Sequence, residues 1–335
     1  MWYLEKAEEK TLEEYVDKLS EGLKNRINSS KLSADQKNIF LEKKDVIKEL
    51  LTREPKKLYD LHKELMSRLI TGYDDKEFPI YVSAKRKKQD NRDEEGKRLV
   101  NKYSILETLS KTFDYNGAIS KKKEVSYWIT KKKGQNVCTY CNRQYVFTVE
   151  NNENSHEKIA RPELDHWFPK ELYPIMSLSF YNLIPCCKLC NSSAKGSSLF
   201  NFDTHIHPYC NNKPNPEFKF GYMPNPNGTW SVDFIKLNGK EENMVEGFCL
   251  KEMYHCHDEY EITEILNLAT KNNGTYLQNL LHTILHDFSP MNIEEVYRML
   301  FGTEYLPQNQ DKRPLSKLKY DLISAVEDSY GIKIL

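Results

Sequence analysis

Four cysteines set in two pairs constrain this chain more than any other feature. Cys138 and Cys141 form one Cys-x-x-Cys and Cys187 and Cys190 a second, with 45 residues between Cys141 and Cys187. Two such pairs can close a tetrahedral tetrathiolate site around Zn²⁺. That geometry leaves no open coordination position, so the site is structural. Metal binding of this kind supplies about 10 kcal/mol or more of folding free energy, and it would hold both ends of the intervening segment at one point. Cys186 leaves the register open, because with Cys190 it makes a Cys-x-x-x-Cys that can serve in place of Cys187.

The compartment bears on how those thiols are read. The opening MWYLEKAEEK is charged by its fifth residue and has no apolar stretch of signal-peptide length. The apolar runs fall far short of the ~20 residues of a membrane span. A cytoplasmic protein with no membrane association is expected, and clustered thiols in a reducing cytosol bind metal rather than pair as disulfides. Cys210, Cys249 and Cys256 are scattered and read as ordinary thiols.

With 335 residues the chain is long enough for two or three domains. Its formal net charge is zero but unevenly placed. Lys111–Thr148 carries eight basic and two acidic residues, Lys85–Lys102 a net +4, and the chain from Glu241 onward sixteen acidic and eight basic. A polyanionic partner needs only a local positive field, so overall neutrality does not exclude nucleic acid. Lys131, Lys132 and Lys133, interleaved with Tyr127 and Trp128 upstream, are candidates for gripping a phosphate backbone; an amphipathic helix explains them nearly as well.

Periodicity predicts helices over Thr11–Asn28, from a Ser33 cap through about Arg53, and from Pro55 through Leu69. Residues 73–103 are polar and charged and read as a loop, linker or DNA-facing edge. Helical pattern returns over Ser104–Phe113 and Lys121–Lys133. Val137–Val149 reads as a zinc knuckle leading into a strand, and Asn151–Glu157 as a polar loop. Asn-Gly and Pro-Asn turns between FKFGY and SVDFIKL predict a β-hairpin, followed by helices over Tyr260–His286, Ile293–Phe301 and Leu315–Ser329. The expected organisation is α+β in three parts. Residues 1–110 form a helical docking or regulatory region, residues 111–212 the zinc-framed unit, and residues 213–335 a mostly helical region with a small hairpin.

Between the cysteine pairs lies the chemistry. His166 titrates near neutrality and can take a proton from water. Asp165 beside it is a hard oxygen ligand suited to Mg²⁺ or Mn²⁺. Adjacent strand residues point to opposite faces, so convergence of the two on one phosphate requires a bend or bulge, which the bracketing Pro162 and Pro169 favour. Asn182 can bond the backbone of the His-bearing strand and hold the base in place. Asn191, at the start of a short helix, offers an amide oxygen as a second metal ligand, and Lys195 at i+4 falls on the same face, positioned to contact phosphate. His205 and His207 offer no spacing that marks further ligands.

Asp165-His166, Asn182 and Asn191, in that order and inside two Cys-x-x-Cys pairs, resemble the HNH endonuclease superfamily in a His-Asn-Asn variant. The resemblance implies a ββα-metal core with His166 as general base, Asp165 and Asn191 as metal ligands, Asn182 orienting the base and Lys195 near phosphate. Asn in place of His on the helix makes the site oxygen-rich and tilts the choice to Mg²⁺ or Mn²⁺. Asn182-Leu183, Cys187–Asn191, Lys195-Gly196 and His207-Pro208-Tyr209 resemble, more narrowly, HNH nucleases of bacterial anti-phage systems, including Septu-type and retron-associated ones, which work beside an ABC-like ATPase. The resemblance covers residues 135–212 and implies an endonuclease acting on double-stranded DNA with such a partner. The competing expectation is a zinc-stabilised nucleic-acid- or protein-binding module without catalysis.

Overall fold

The computed structural model describes residues 1–42, 45–151, 157–196, 198–211, 217–271, 275–287 and 292–331. The predicted polar loop therefore falls mostly outside the described residues. The architecture is helix-rich α+β with three two-stranded antiparallel hairpins among the described residues. No helix is long and apolar enough to cross a membrane.

The N-terminal periodicity becomes helix Glu9–Ser29, which buries Tyr15, Leu19, Leu23 and Ile27 along one stripe. Ser33 caps helix Ala34–Leu41 in a reciprocal box with Gln36. The single helix expected through Arg53 is two, the second being Val46–Thr52. Pro55 opens helix Pro55–Leu69, where its missing N–H costs nothing.

Residues 73–103 are not a linker. They contain helices Phe78–Arg86 and Glu94–Lys102, the latter capped by Asp93 through the Gly96 amide. Phe78, Tyr81 and Tyr103 pack edge to face in the core, and Phe78 meets Tyr173 at 5.3 Å. A few aromatics, spaced too far apart to stand out among the charges, were enough to fold this stretch.

Strands β1 (Val149–Glu150) and β2 (Lys158–Ala160) form a minimal hairpin; the strand expected from the knuckle onward is reduced to β1 and one bridge between Val137 and Tyr145. Strands β3 (Glu163–His166) and β4 (Leu183–Cys186) pair antiparallel in unbroken register, with Asp165 opposite Ile184 and His166 opposite Leu183. The predicted C-terminal hairpin is β5 (Lys219–Pro224) and β6 (Trp230–Ile235), turning at Gly228 with φ 82°. Helix Ile293–Phe301 matches its expectation, and Ser316–Tyr330 does so within a residue.

One continuous set of buried apolar residues runs from Met1 to Val326. Its centre includes the first Cys-x-x-Cys turn. The Trp2 indole N–H donates to the Tyr140 carbonyl, and the Tyr254 hydroxyl donates to that of Cys141. Asn142 bonds both Gln310 and Leu315. Segments from both ends of the chain thus close on the same turn.

His62 lies fully buried beneath the loop that follows β3, against Tyr73 and Tyr173. Burial, with Lys63 nearby, lowers its pKa to about 3. The unfolded chain therefore binds the proton first as pH falls below about 6.5, and the folded state loses stability from there toward pH 3. The gap in unfolding free energy between wild type and His62→Leu, read by denaturant titration, should move against the wild type between pH 7 and pH 5. A pH-independent gap would contradict a neutral, buried His62.

Candidate functional site

The sulfurs of Cys138, Cys141, Cys187 and Cys190 all lie within 4.8 Å of one another, and all four residues are buried. Cys141 Sγ and Cys187 Sγ are 3.9 Å apart. A tetrahedron with Zn–S bonds of about 2.3 Å has edges of about 3.8 Å, so the four thiols fit a zinc ion. The Cys187 amide donates to Cys138 Sγ, and the Cys190 amide to Cys187 Sγ. Burial pushes the Cys138 thiol well up; four thiolates this close need a cation to coexist. Cys186 lies on β4 outside the cluster, which settles the register on Cys187.

The two residues between the first pair are not spacers. Thr139 Oγ1 donates to the Pro185 carbonyl of β4 at 2.7 Å. The Tyr140 hydroxyl donates to Asp165 Oδ2 of β3 at 2.6 Å. The knuckle thereby grips both strands of the β3–β4 hairpin. Beyond β4, Leu189–Lys195 is a single π-helical turn, closed by the Gly196 amide on the Asn191 carbonyl. Such turns recur at functional sites.

Asp165 and His166 occupy opposite faces of an unbroken strand, so the bend expected between them is absent. Asp165 is 3% exposed, and its second oxygen accepts from the Lys195 ammonium at 3.0 Å. Lys195, expected to project toward phosphate, is 2% exposed; it also donates to the His166 carbonyl at 2.6 Å. Asn191 does not meet Asp165. Its amide nitrogen donates to Glu163 at 2.6 Å, and Ser192 donates to the same carboxylate oxygen. Glu163 was missed in the sequence, although it stands two residues before Asp165 and so shares its strand face.

His166 is buried under Tyr115, whose ring meets it edge to face at 4.5 Å. Its Nε2 lies 3.0 Å from the Ser177 carbonyl oxygen. That oxygen can only accept, so Nε2 carries the proton and Nδ1 keeps its lone pair. Burial, with Lys170 and Lys195 adding to it, lowers the His166 pKa to about 3, which keeps the ring neutral. Asn182 is fully buried and clamps the chain beyond His166. Its oxygen accepts from the Phe168 amide, and its nitrogen donates to the Phe168 and Met176 carbonyls.

Each lysine of the triplet has a partner within the fold. Lys131 pairs with Glu150, Lys132 with Glu14, and Lys133 donates to the Phe180 carbonyl and the Tyr209 hydroxyl. Burial drives the Lys133 pKa down. Lys131 and Lys132 stay exposed and pair with acids far off in the sequence, which local charge counting cannot see, while Lys133 is half-buried against Phe180 and Tyr209.

Oxygen ligands stand on the Asp165 face of β3, the carboxylates of Glu163 and Asp165, with the Asn191 amide bonded to Glu163 and not to Asp165. That chemistry suits a hard divalent cation, and Asp165 already holds one positive charge, the Lys195 ammonium. Among the described residues the four cysteines are the sole cluster of three or more His, Cys, Asp or Glu ligand atoms. Breaking a buried ion pair leaves an unpaired charge and costs about 3–5 kcal/mol. Lys195→Ala should weaken the fold by that much in urea unfolding; a change under about 1 kcal/mol would place the ammonium in solvent, as a phosphate-facing lysine would be.

In comparison with known proteins, the chain is similar to the Septu protein PtuB of Bacillus thuringiensis, at 24% identity over 152 residues. The match takes in 44% of this chain and 55% of that protein, so the chain spans about half the length of the curated relative it matches. No protein-family model and no solved structure matches.

Proposed function

We propose that this chain is an HNH-type, metal-dependent endonuclease that hydrolyses phosphodiester bonds in DNA, and that it serves anti-phage defence beside an ABC-like ATPase. The observation that carries the nuclease reading is His166. It sits at the end of β3 with Nε2–H held by the Ser177 carbonyl and Nδ1 left as a base, on a hairpin that runs through Cys187 and Cys190 into the Asn191–Lys195 turn. The defence role rests on similarity to a Septu protein, and the ATPase partner and the DNA substrate on the resemblance of residues 135–212 to nucleases of that kind.

In this reading His166 Nδ1 takes the proton from the attacking water. Asn182 fixes the backbone on the C-terminal side of the base. Asp165 and Asn191 would hold the catalytic Mg²⁺ or Mn²⁺, which requires the ion to displace the Lys195 ammonium from Asp165 and to bring Asn191, now bonded to Glu163, to the same ion. A divalent ion supplies charge neutralisation at the phosphate and at the leaving oxygen. Zn²⁺ belongs to the four cysteines.

A second reading has one observation in its favour. The Lys195–Asp165 pair already satisfies the carboxylate, as it would in a zinc-stabilised binding module without catalysis. Supercoiled plasmid separates the two. With Mg²⁺ or Mn²⁺, alone and with candidate ABC-like ATPase partners added, wild type should nick while His166→Ala loses at least about 100-fold of the rate, as removal of a general base does. Equal nicking by both, or none by either under every metal and partner condition, would contradict the nuclease reading.

A further inference from the structure

Several basic side chains near the hairpin are taken up by partners from elsewhere in the chain: Lys131, Lys132, Lys133 and Lys195 as described above, and Lys158, which pairs with Glu150. Arg161 and Lys170 differ. Each is half-buried, and neither makes an ion pair among the described residues. Arg161 donates only to the neighbouring Pro162 carbonyl, at 2.7 Å. Both keep part of their surface in solvent and no acid among the described residues compensates their charge, so two such cations on one short segment set up a local positive field that an anion from outside can occupy.

Their placement says which anion. Arg161 stands just before β3 and Lys170 just after it, bracketing His166. The Lys170 ammonium lies 5.5 Å from the centre of the Tyr115 ring, the same ring that meets His166 edge to face. The positive field of Arg161 reaches the Tyr115 hydroxyl as well. Beyond Lys170, Lys85 and Arg86 line one cleft with Pro169, Glu171 and Leu172. Both are exposed, neither forms an ion pair among the described residues, and they belong to the basic Lys85–Lys102 stretch.

We infer that Arg161 and Lys170 are the phosphate-holding residues of this site, and that Lys85 and Arg86 continue their track along the phosphodiester backbone of a nucleic acid. The inference rests on the nuclease reading for its placing of the scissile phosphate at His166. It moves the nucleic-acid contact from the Lys131–Lys133 triplet to the two sides of β3. Arg161 offers a planar fork suited to phosphate oxygens, and Lys170 a point charge.

The test measures binding in full-length His166→Ala, so that no cleavage intervenes, against a 30-base-pair DNA duplex and a 30-nucleotide RNA strand over a salt series. Removing one cation from a phosphate should flatten the log–log salt dependence by about 0.9 on the duplex or about 0.7 on the single strand. Arg161→Gln/Lys170→Gln should therefore flatten the duplex slope by about 1.8 and weaken binding. Arg161→Lys/Lys170→Arg, which keeps both charges, should retain the slope, and Lys111→Gln, an exposed lysine elsewhere, should not change it. The nucleic acid whose slope flattens is the one the track holds. An unchanged slope in the double Gln variant, a flattened slope in the charge-keeping variant, or no binding of either nucleic acid would overturn the inference. Failure of the nuclease reading looks different. If the double Gln variant flattens the slope while wild type never cuts, the phosphate site stands without the chemistry. If wild type cuts with a need for His166 while the double Gln change affects neither slope nor KM, the phosphate site alone falls.

Discussion

Four thiols crowded into one small volume of the core are the constraint on which the rest of this fold depends. Buried thiolates at such separations repel one another, and a single Zn²⁺ would convert that repulsion into a cross-link between residues some fifty positions apart. What gives the cross-link its reach is the pair of residues inside the first knuckle. Thr139 bonds the backbone of β4, and Tyr140 bonds Asp165 on β3. Trp2, Tyr254 and the Gln310–Leu315 segment bond the same turn from outside. One turn therefore sets the β3–β4 hairpin, and also where the two flanking regions close on it.

The hairpin then divides its polar groups by face. On one side, Asp165 and Lys195 form a buried ion pair, and the half-buried Glu163 and Asn191 bond each other. On the other, His166 stays neutral between Tyr115 and the Ser177 carbonyl. In a medium of low dielectric each of these groups is costly unless partnered, and nearly all are. Arg161 and Lys170, which flank the same strand, meet no acidic group among the described residues. Partnered charges on one face and unpartnered cations at the rim are what a site that receives a phosphate would require.

Much of the site was legible in the sequence because its signals are local. Cys-x-x-Cys spacing marks a knuckle, the run of β-branched and aromatic residues around Asn-Gly marks β5 and β6, and an isolated Asn182 after a His-bearing strand marks a clamp. What was not legible is whatever depends on a distant partner. The partner that sets the His166 tautomer is a backbone carbonyl, which any residue at 177 would supply. The partners of Lys131 and Lys132 are Glu150 and Glu14, so counting charge along the chain overstated the free positive surface. Cys186 and Cys187 are chemically alike, and their roles separate only once β4 fixes which of them points into the cluster. Helices Phe78–Arg86 and Glu94–Lys102 were hidden by charge-rich composition, since their stability comes from a few aromatics that meet Tyr73 and Tyr173 across the core.

The claim that the first knuckle is a zinc site, and that it positions the hairpin, is tested most directly by zinc X-ray absorption on the purified chain and its Cys186→Ser and Cys187→Ser variants. One zinc per chain with four sulfur ligands at about 2.3 Å is expected, unchanged in Cys186→Ser and absent or reduced to three sulfurs in Cys187→Ser. Nitrogen or oxygen in the wild-type shell, or a missing sulfur ligand in Cys186→Ser instead, would contradict it.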